Sequence, residues 1–122
     1  MPHRLLIVDA NSSFAPRLRR YLSTRGFEVD CASELEEAQA LLTQVRYAAM
    51  IAAWRLKGTS GAAGLELVTH VQNHAPWTRT ILLTGRAPED VGAEARARGT
   101  DVVLEQRPSP AEIGRLLGAL LS

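Results

Sequence analysis

Cysteine occurs once in this 122-residue sequence, as Cys31. A lone thiol excludes an internal disulfide and suits a reducing compartment, so a cytoplasmic location is expected. Lysine also occurs once, at Lys57; thirteen of the fourteen basic residues are arginine. Excess charge of either sign is missing. The net charge is +1, which excludes a strong general attraction to nucleic acid or to a membrane surface. No apolar run approaches the length of a membrane span, and Met1-Pro2-His3-Arg4 leads straight into a short apolar stretch with no signal-peptide pattern. Linkers, internal repeats, low-complexity tracts and a helix-turn-helix unit are missing too. What remains is a chain with 46% apolar and 22% charged residues, ordinary for one globular domain spanning 1–122 with a proper core.

The apolar pattern alternates between two periods. Leu5 to Val8 reads as a buried strand with Asp9 at its tip. Asn11 or Ser13 can cap a helix that tolerates Pro16 in its first turn and places Phe14, Leu18, Tyr21 and Leu22 on one face. Phe27 to Ala32 is a second strand. Ser33 with Glu36 forms a capping-box pattern before a helix with a stripe of Leu35, Ala38, Leu41, Leu42 and Val45. Tyr47 to Trp54 has the length of a strand buried on both faces. A Gly-rich loop, Lys57 to Ala63, precedes a third helix from about Gly64 to Asn73, stopped by Pro76. Thr80 to Thr84 is a fourth strand. Pro88-Glu89-Asp90 opens a fourth helix with few large apolar residues, ending at Gly99. Val102 to Leu104 is a fifth strand, and Ser109-Pro110-Ala111-Glu112 caps a last helix with Ile113, Leu116, Leu117, Leu120 and Leu121. Five strand–helix units in alternation predict a doubly wound α/β fold with a parallel sheet and five helices. Asp9, Ala53, Thr84 and Gln106 then lie at or just past strand carboxyl ends, where ligand sites form in such sheets.

In order and spacing, several short motifs resemble the receiver domain of bacterial two-component response regulators. They are Leu6-Ile7-Val8-Asp9, Gly26-Phe27-Glu28-Val29, Gly64-Leu65-Glu66-Leu67, Leu82-Leu83-Thr84-Gly85, Gly99-Thr100-Asp101 and Ser109-Pro110-Ala111-Glu112-Ile113. The resemblance implies a CheY-like, flavodoxin-like sheet of strand order 2-1-3-4-5. It also implies a phosphorylation site: two acids that hold Mg²⁺, an acceptor Asp after the third strand, a hydroxyl residue after the fourth and a Lys after the fifth. Here the first acid matches Asp9, but its neighbour is Ala10. The acceptor position falls on Ala53, followed by Trp54. The hydroxyl residue is kept as Thr84. The Lys falls on Gln106 and the proline after it on Arg107; a shifted pairing of Arg107-Pro108 with Lys-Pro needs a gap on each side. The aromatic on the fifth strand falls on Val103. The loop Lys57 to Ala63 carries about three extra residues.

A methyl cannot attack phosphorus. Mg²⁺ wants several hard oxygens, usually including one or two carboxylates, so Asp9 alone is expected to bind it weakly or not at all. The chain therefore looks like a pseudo-receiver: not an enzyme, without cofactor, signalling through protein contacts. The resemblance places such contacts on the surface of the fourth helix, fifth strand and fifth helix, with Arg96, Arg98, Val103, Arg107 and Arg115. A signalling protein, an attached output domain or a second copy of the chain would be the partner. The alternative is a degenerate crevice that senses a small molecule; a third reading moves the phosphoacceptor to another residue such as Asp9. Cys31 reads as a buried small residue rather than a redox sensor. His70 and His74, a turn apart, read as a solvated helix face, and His3 has no metal-ligand spacing with either.

Overall fold

The protein is described by a computed structural model covering residues 3–10, 13–56, 63–85, 87–105 and 108–122. The strands are β1 (Arg4–Val8), β2 (Glu28–Ala32), β3 (Ala49–Ala53), β4 (Arg79–Leu83) and β5 (Val102–Leu104). Between and after them come the helices α1 (Phe14–Thr24), α2 (Leu35–Gln44), α3 (Ala63–His74), α4 (Glu89–Ala97) and α5 (Pro110–Leu121). The sheet is five-stranded with order β2-β1-β3-β4-β5, and every pairing is parallel. This is the predicted topology.

Alternation along each strand divides the core in two. Leu6, Val8, Met50, Ala52 and Leu82 pack against α2, α3 and α4. Leu5, Ile7, Ala49, Ile51, Ile81 and Leu83 pack against α1 and α5. β3 is buried at all five positions, which is why its sequence is apolar throughout instead of alternating. Each such Leu, Ile or Val contributes about 1.5–3 kcal/mol by leaving water. The weak fourth helix holds on through Val91 and Ala95, both buried.

Two local expectations are corrected. β3 is shorter than the apolar run Tyr47 to Trp54. Tyr47 is only 1% exposed, but its phenol donates to Asp30 Oδ2 at 2.6 Å and its carbonyl accepts from Thr78 Oγ1 at 2.9 Å. It is buried as a polar anchor below the strand. The Ser33–Glu36 capping box does not form: α2 starts at Leu35, so the acid that reaches back to the Ser33 N–H is Glu37, at 3.0 Å. The cap of α5 does form, with Ser109 Oγ accepting from the Glu112 N–H at 3.2 Å. Asn11 lies outside the described residues; Ser13 occupies the N-cap position of α1.

Candidate functional site

Register brings the strand tips into line. Val8 pairs with Ala52 and with Ala32, Ala53 with Leu83, and Leu83 with Leu104. The residues just beyond, Asp9 and Thr84, therefore flank the end of β3. Both are buried, at 6% and 4% exposure, and Ala53 between them is 5% exposed. The crevice thus gathers a carboxylate from β1, a methyl from β3 and a hydroxyl from β4. Ala10, next to Asp9, is an exposed methyl. Among the described residues no three metal-ligating side chains converge anywhere.

The β3 tip is built as tightly as a core. The Trp54 N–H donates to the Leu83 carbonyl at 3.0 Å, and the Gly64 N–H donates to the Trp54 carbonyl at 2.9 Å. A Cβ on Gly64 would run into the Ala53 carbonyl oxygen, and would stand 2.9 Å from Leu82 Cδ1. Only glycine lets the start of α3 sit on the strand end. Trp54 itself is half-buried, with the Arg55 guanidinium 5.2 Å from its ring centroid.

Thr84 is anchored from its own backbone outward. Its N–H donates to the Leu104 carbonyl at 2.9 Å, and its Oγ1 donates to the same oxygen at 3.3 Å. Beside it opens a groove of about 390 Å³ lined by Thr84, Gly85, Pro88, Gly92, Arg96 and Glu105 among others. Gly92 lies on its wall, where a Cβ would make only ordinary contacts with Arg96 Nη1 and Val103 Cγ1, each at 3.5 Å. Gln106 and Arg107 lie outside the described residues, as do positions 57–62 of the Gly-rich loop.

The residues expected on the interaction face separate into three groups. Arg96 and Val103 come together at Gly92. Arg98 turns toward α3: its Nε donates to Glu94 at 2.9 Å and its Nη1 to Thr69 Oγ1 at 3.3 Å. Arg115 lines a different groove, with Tyr21, Arg25 and Phe27. Sequence reasoning missed the second of these because Thr69 lies on α3 and Arg98 at the end of α4, 29 residues apart.

The lone thiol and the histidine pair are corrected as well. Cys31 is half-exposed, not buried, and lines a groove with Ala15, Pro16 and Arg19. Partial burial still pushes its thiol up from the ordinary value, outweighing the nearby Arg19 charge, so it is a poor thiolate. His70 is half-buried, with its Nε2 buried and without a hydrogen-bond partner. Its ring centroid lies 4.6 Å from that of His74. Burial, then the His74 charge, hold His70 below the usual imidazole range.

Three comparisons bear on this arrangement. The family model described as "Response regulator receiver domain" matches residues 5–117. A response regulator receiver protein of Anaeromyxobacter sp. (strain Fw109-5) is 33% identical over 114 residues, which is 93% of this chain. The chain spans only 45% of that relative's length. A solved receiver domain protein from Methanospirillum hungatei JF-1 superposes with TM-score 0.91 at 20% identity, over 99% of this chain and 94% of that one. A response regulator from Burkholderia pseudomallei, solved with a phosphorylated aspartic acid, calcium ion and citrate, gives TM-score 0.84 at 28% identity, over 98% and 66%.

Proposed function

The chain belongs to the receiver-domain family of two-component response regulators, and we propose that within it this chain is a pseudo-receiver that signals by protein contact and takes no phosphoryl group. The reading rests on Ala53. It ends β3 between Asp9 and Thr84, where the chemistry needs a nucleophilic carboxylate and finds a methyl. The Burkholderia protein carries a phosphorylated aspartate; this chain has no side-chain oxygen at position 53 to accept a phosphoryl group. Mg²⁺ does not fit either. Asp9 offers one carboxylate, while Ala10 and Ala53 offer none, and a small octahedral dication gains too little from that set to shed its water.

Signalling then proceeds through surface recognition, with the face around α4 and β5 as the contact. Arg96, Val103 and the Gly92 groove supply its centre. A partner signalling protein, an attached output domain or a second copy would bind there. The test uses Trp54 as reporter. Beryllofluoride with Mg²⁺ is expected to leave its fluorescence unchanged, and acetyl phosphate is expected to leave the intact mass unchanged. A saturable fluorescence change, or a mass gain of one phosphoryl group, would sink the reading.

One observation favours a second reading. The 390 Å³ groove beside Thr84 falls within the size range of small-molecule sites. A sensor of a small polar ligand would use it, and a metabolite screen by thermal shift separates the two. Ligand-dependent stabilisation abolished by Gly92→Leu supports sensing; its absence supports contact alone.

A further inference from the structure

The last two turns of α3 hold a pair of imidazoles that the strand-tip crevice does not use. His70 and His74 are four residues apart, the spacing that sets side chains above one another on one helix face. The structure brings them together: their ring centroids are 4.6 Å apart, with the ring planes at 42°. Two imidazoles on one metal ion have nearly this separation. With a metal–nitrogen bond of about 2.0–2.1 Å, each ring centroid lies about 3.2 Å from the ion. Two centroids are then about 4.5 Å apart at a right angle and about 5.2 Å apart at the tetrahedral angle. The backbone of α3 therefore needs no rearrangement for both rings to reach one ion.

The surroundings favour a cation there. Imidazole is mostly neutral at neutral pH and so has a lone pair to give. The His70 Nε2 is buried without a hydrogen-bond partner, a state that costs free energy until a partner is found. His70 is half-buried and His74 exposed, so both rings can turn about their side-chain bonds to present nitrogen at the surface. Carbonyl groups at the carboxyl end of a helix carry partial negative charge, which attracts cations. Glu66 lies one turn before His70 on the same stripe, and α3 contains no arginine or lysine. The guanidinium that reaches α3, Arg98 at Thr69, is already paired with Glu94 at 2.9 Å.

We propose that His70 and His74 chelate one divalent transition-metal ion at the carboxyl end of α3, with water completing its coordination shell. Among the described residues no third histidine, cysteine or carboxylate joins them. Two imidazoles and water suit nickel, copper or zinc, with copper the tightest of the three. They do not suit Mg²⁺ or Ca²⁺, which take oxygen ligands. The site asks nothing of Asp9 or Ala53 and is tested separately from the pseudo-receiver reading. A bound ion clips two successive turns of α3 together, and so stabilises the helix whose start is seated on the β3 tip through Gly64.

The test titrates Ni²⁺, then Zn²⁺, into the full chain without an affinity tag, by calorimetry and by thermal melt. Ni²⁺ is expected to bind saturably at one ion per chain. It should raise the Tm by roughly 5–10 °C at a hundredfold excess over its Kd. His70→Gln and His74→Gln should each weaken binding by roughly tenfold or more and remove most of the Tm gain. His3→Gln and Cys31→Ser should change neither. Circular dichroism and the metal-free melt check the fold of each variant; His74 is exposed, so its variant carries the test should His70→Gln fold poorly. Absence of saturable Ni²⁺ and Zn²⁺ binding overturns the proposal. So does binding that His74→Gln leaves unchanged, or binding that His3→Gln or Cys31→Ser abolishes. One ion per two chains, with a metal-dependent dimer in the ultracentrifuge, also overturns it.

Discussion

At the amino ends of the strands, Arg4 Nε lies 3.5 Å from Asp30, Asp30 accepts from Tyr47, and Tyr47 accepts from Thr78. Beside them Arg79 pairs with Asp101 at 3.3 Å, and Asp101 accepts from the Thr80 N–H at 2.9 Å. At the carboxyl ends, Asp9 and Thr84 stand beside Ala10 and Ala53. The first set lies in or just before all five strands and satisfies groups that burial would otherwise penalise. The second sets one buried carboxylate and one buried hydroxyl among methyls. Polar residues at one end are therefore structural, and their loss would cost the fold. At the other end close packing of α3 on β3 supplies the order.

The largest effect expected is at Gly64. Gly64→Val drives a branched side chain into the Ala53 and Trp54 backbone, and about 3 kcal/mol of stability should be lost in a urea melt. A change below about 0.5 kcal/mol would mean that the carboxyl end is loosely packed, and the contrast would fail. Next comes Ala53→Asp, which puts a carboxylate into a 5% exposed position beside Asp9. A loss of about 1–3 kcal/mol is expected without metal. With Ala10→Asp added, Mg²⁺ should recover part of it; stability unchanged by either substitution would show that added carboxylates put this end under no charge strain.

Tyr47→Phe sharpens the comparison from the other side. It removes the donor to Asp30 and leaves Arg4 and water, for a cost of about 1 kcal/mol. Tyr47 also has its own pKa pushed well up, by burial first and then by Asp30, so it stays a neutral donor across the working range. An unchanged denaturation midpoint would remove Tyr47 from the structural network. The smallest effect concerns His70, near the carboxyl terminus of α3 and so toward the amino end of the sheet. The folded state holds its proton less tightly than the unfolded chain. Stability contributed by the neutral ring is present above about pH 6.5 and falls as pH drops through the lowered folded value. His70→Gln should flatten a melting-temperature profile between about pH 5 and 7; an unchanged slope would assign that dependence elsewhere.

Much of this was legible in sequence. Short apolar runs separated by capped helical patterns fixed element type and order, and hence which residues meet at the strand tips. That Asp9, Ala53 and Thr84 meet at one end of the sheet was legible because it depends only on register at strand ends. What escaped were side-chain pairings between elements distant in the chain. Tyr47 and Asp30 are separated by the whole of α2, and nothing local marks them as partners. The cap of α2 went to Glu37 because the helix begins one residue later than the Ser33–Glu36 spacing requires. Arg98 looked like surface charge, yet Glu94 and Thr69 hold it against α3.

The hydrogen bond from the Gly64 N–H to the Trp54 carbonyl has an engineering consequence. It joins Trp54, just past β3, directly to Gly64, at the start of α3. Lengthening a segment whose ends are already held costs mainly closure entropy, about 0.6 kcal/mol for each doubling. That makes the connection a suitable insertion point for an epitope or a small reporter domain, provided Trp54 and Gly64 are left untouched.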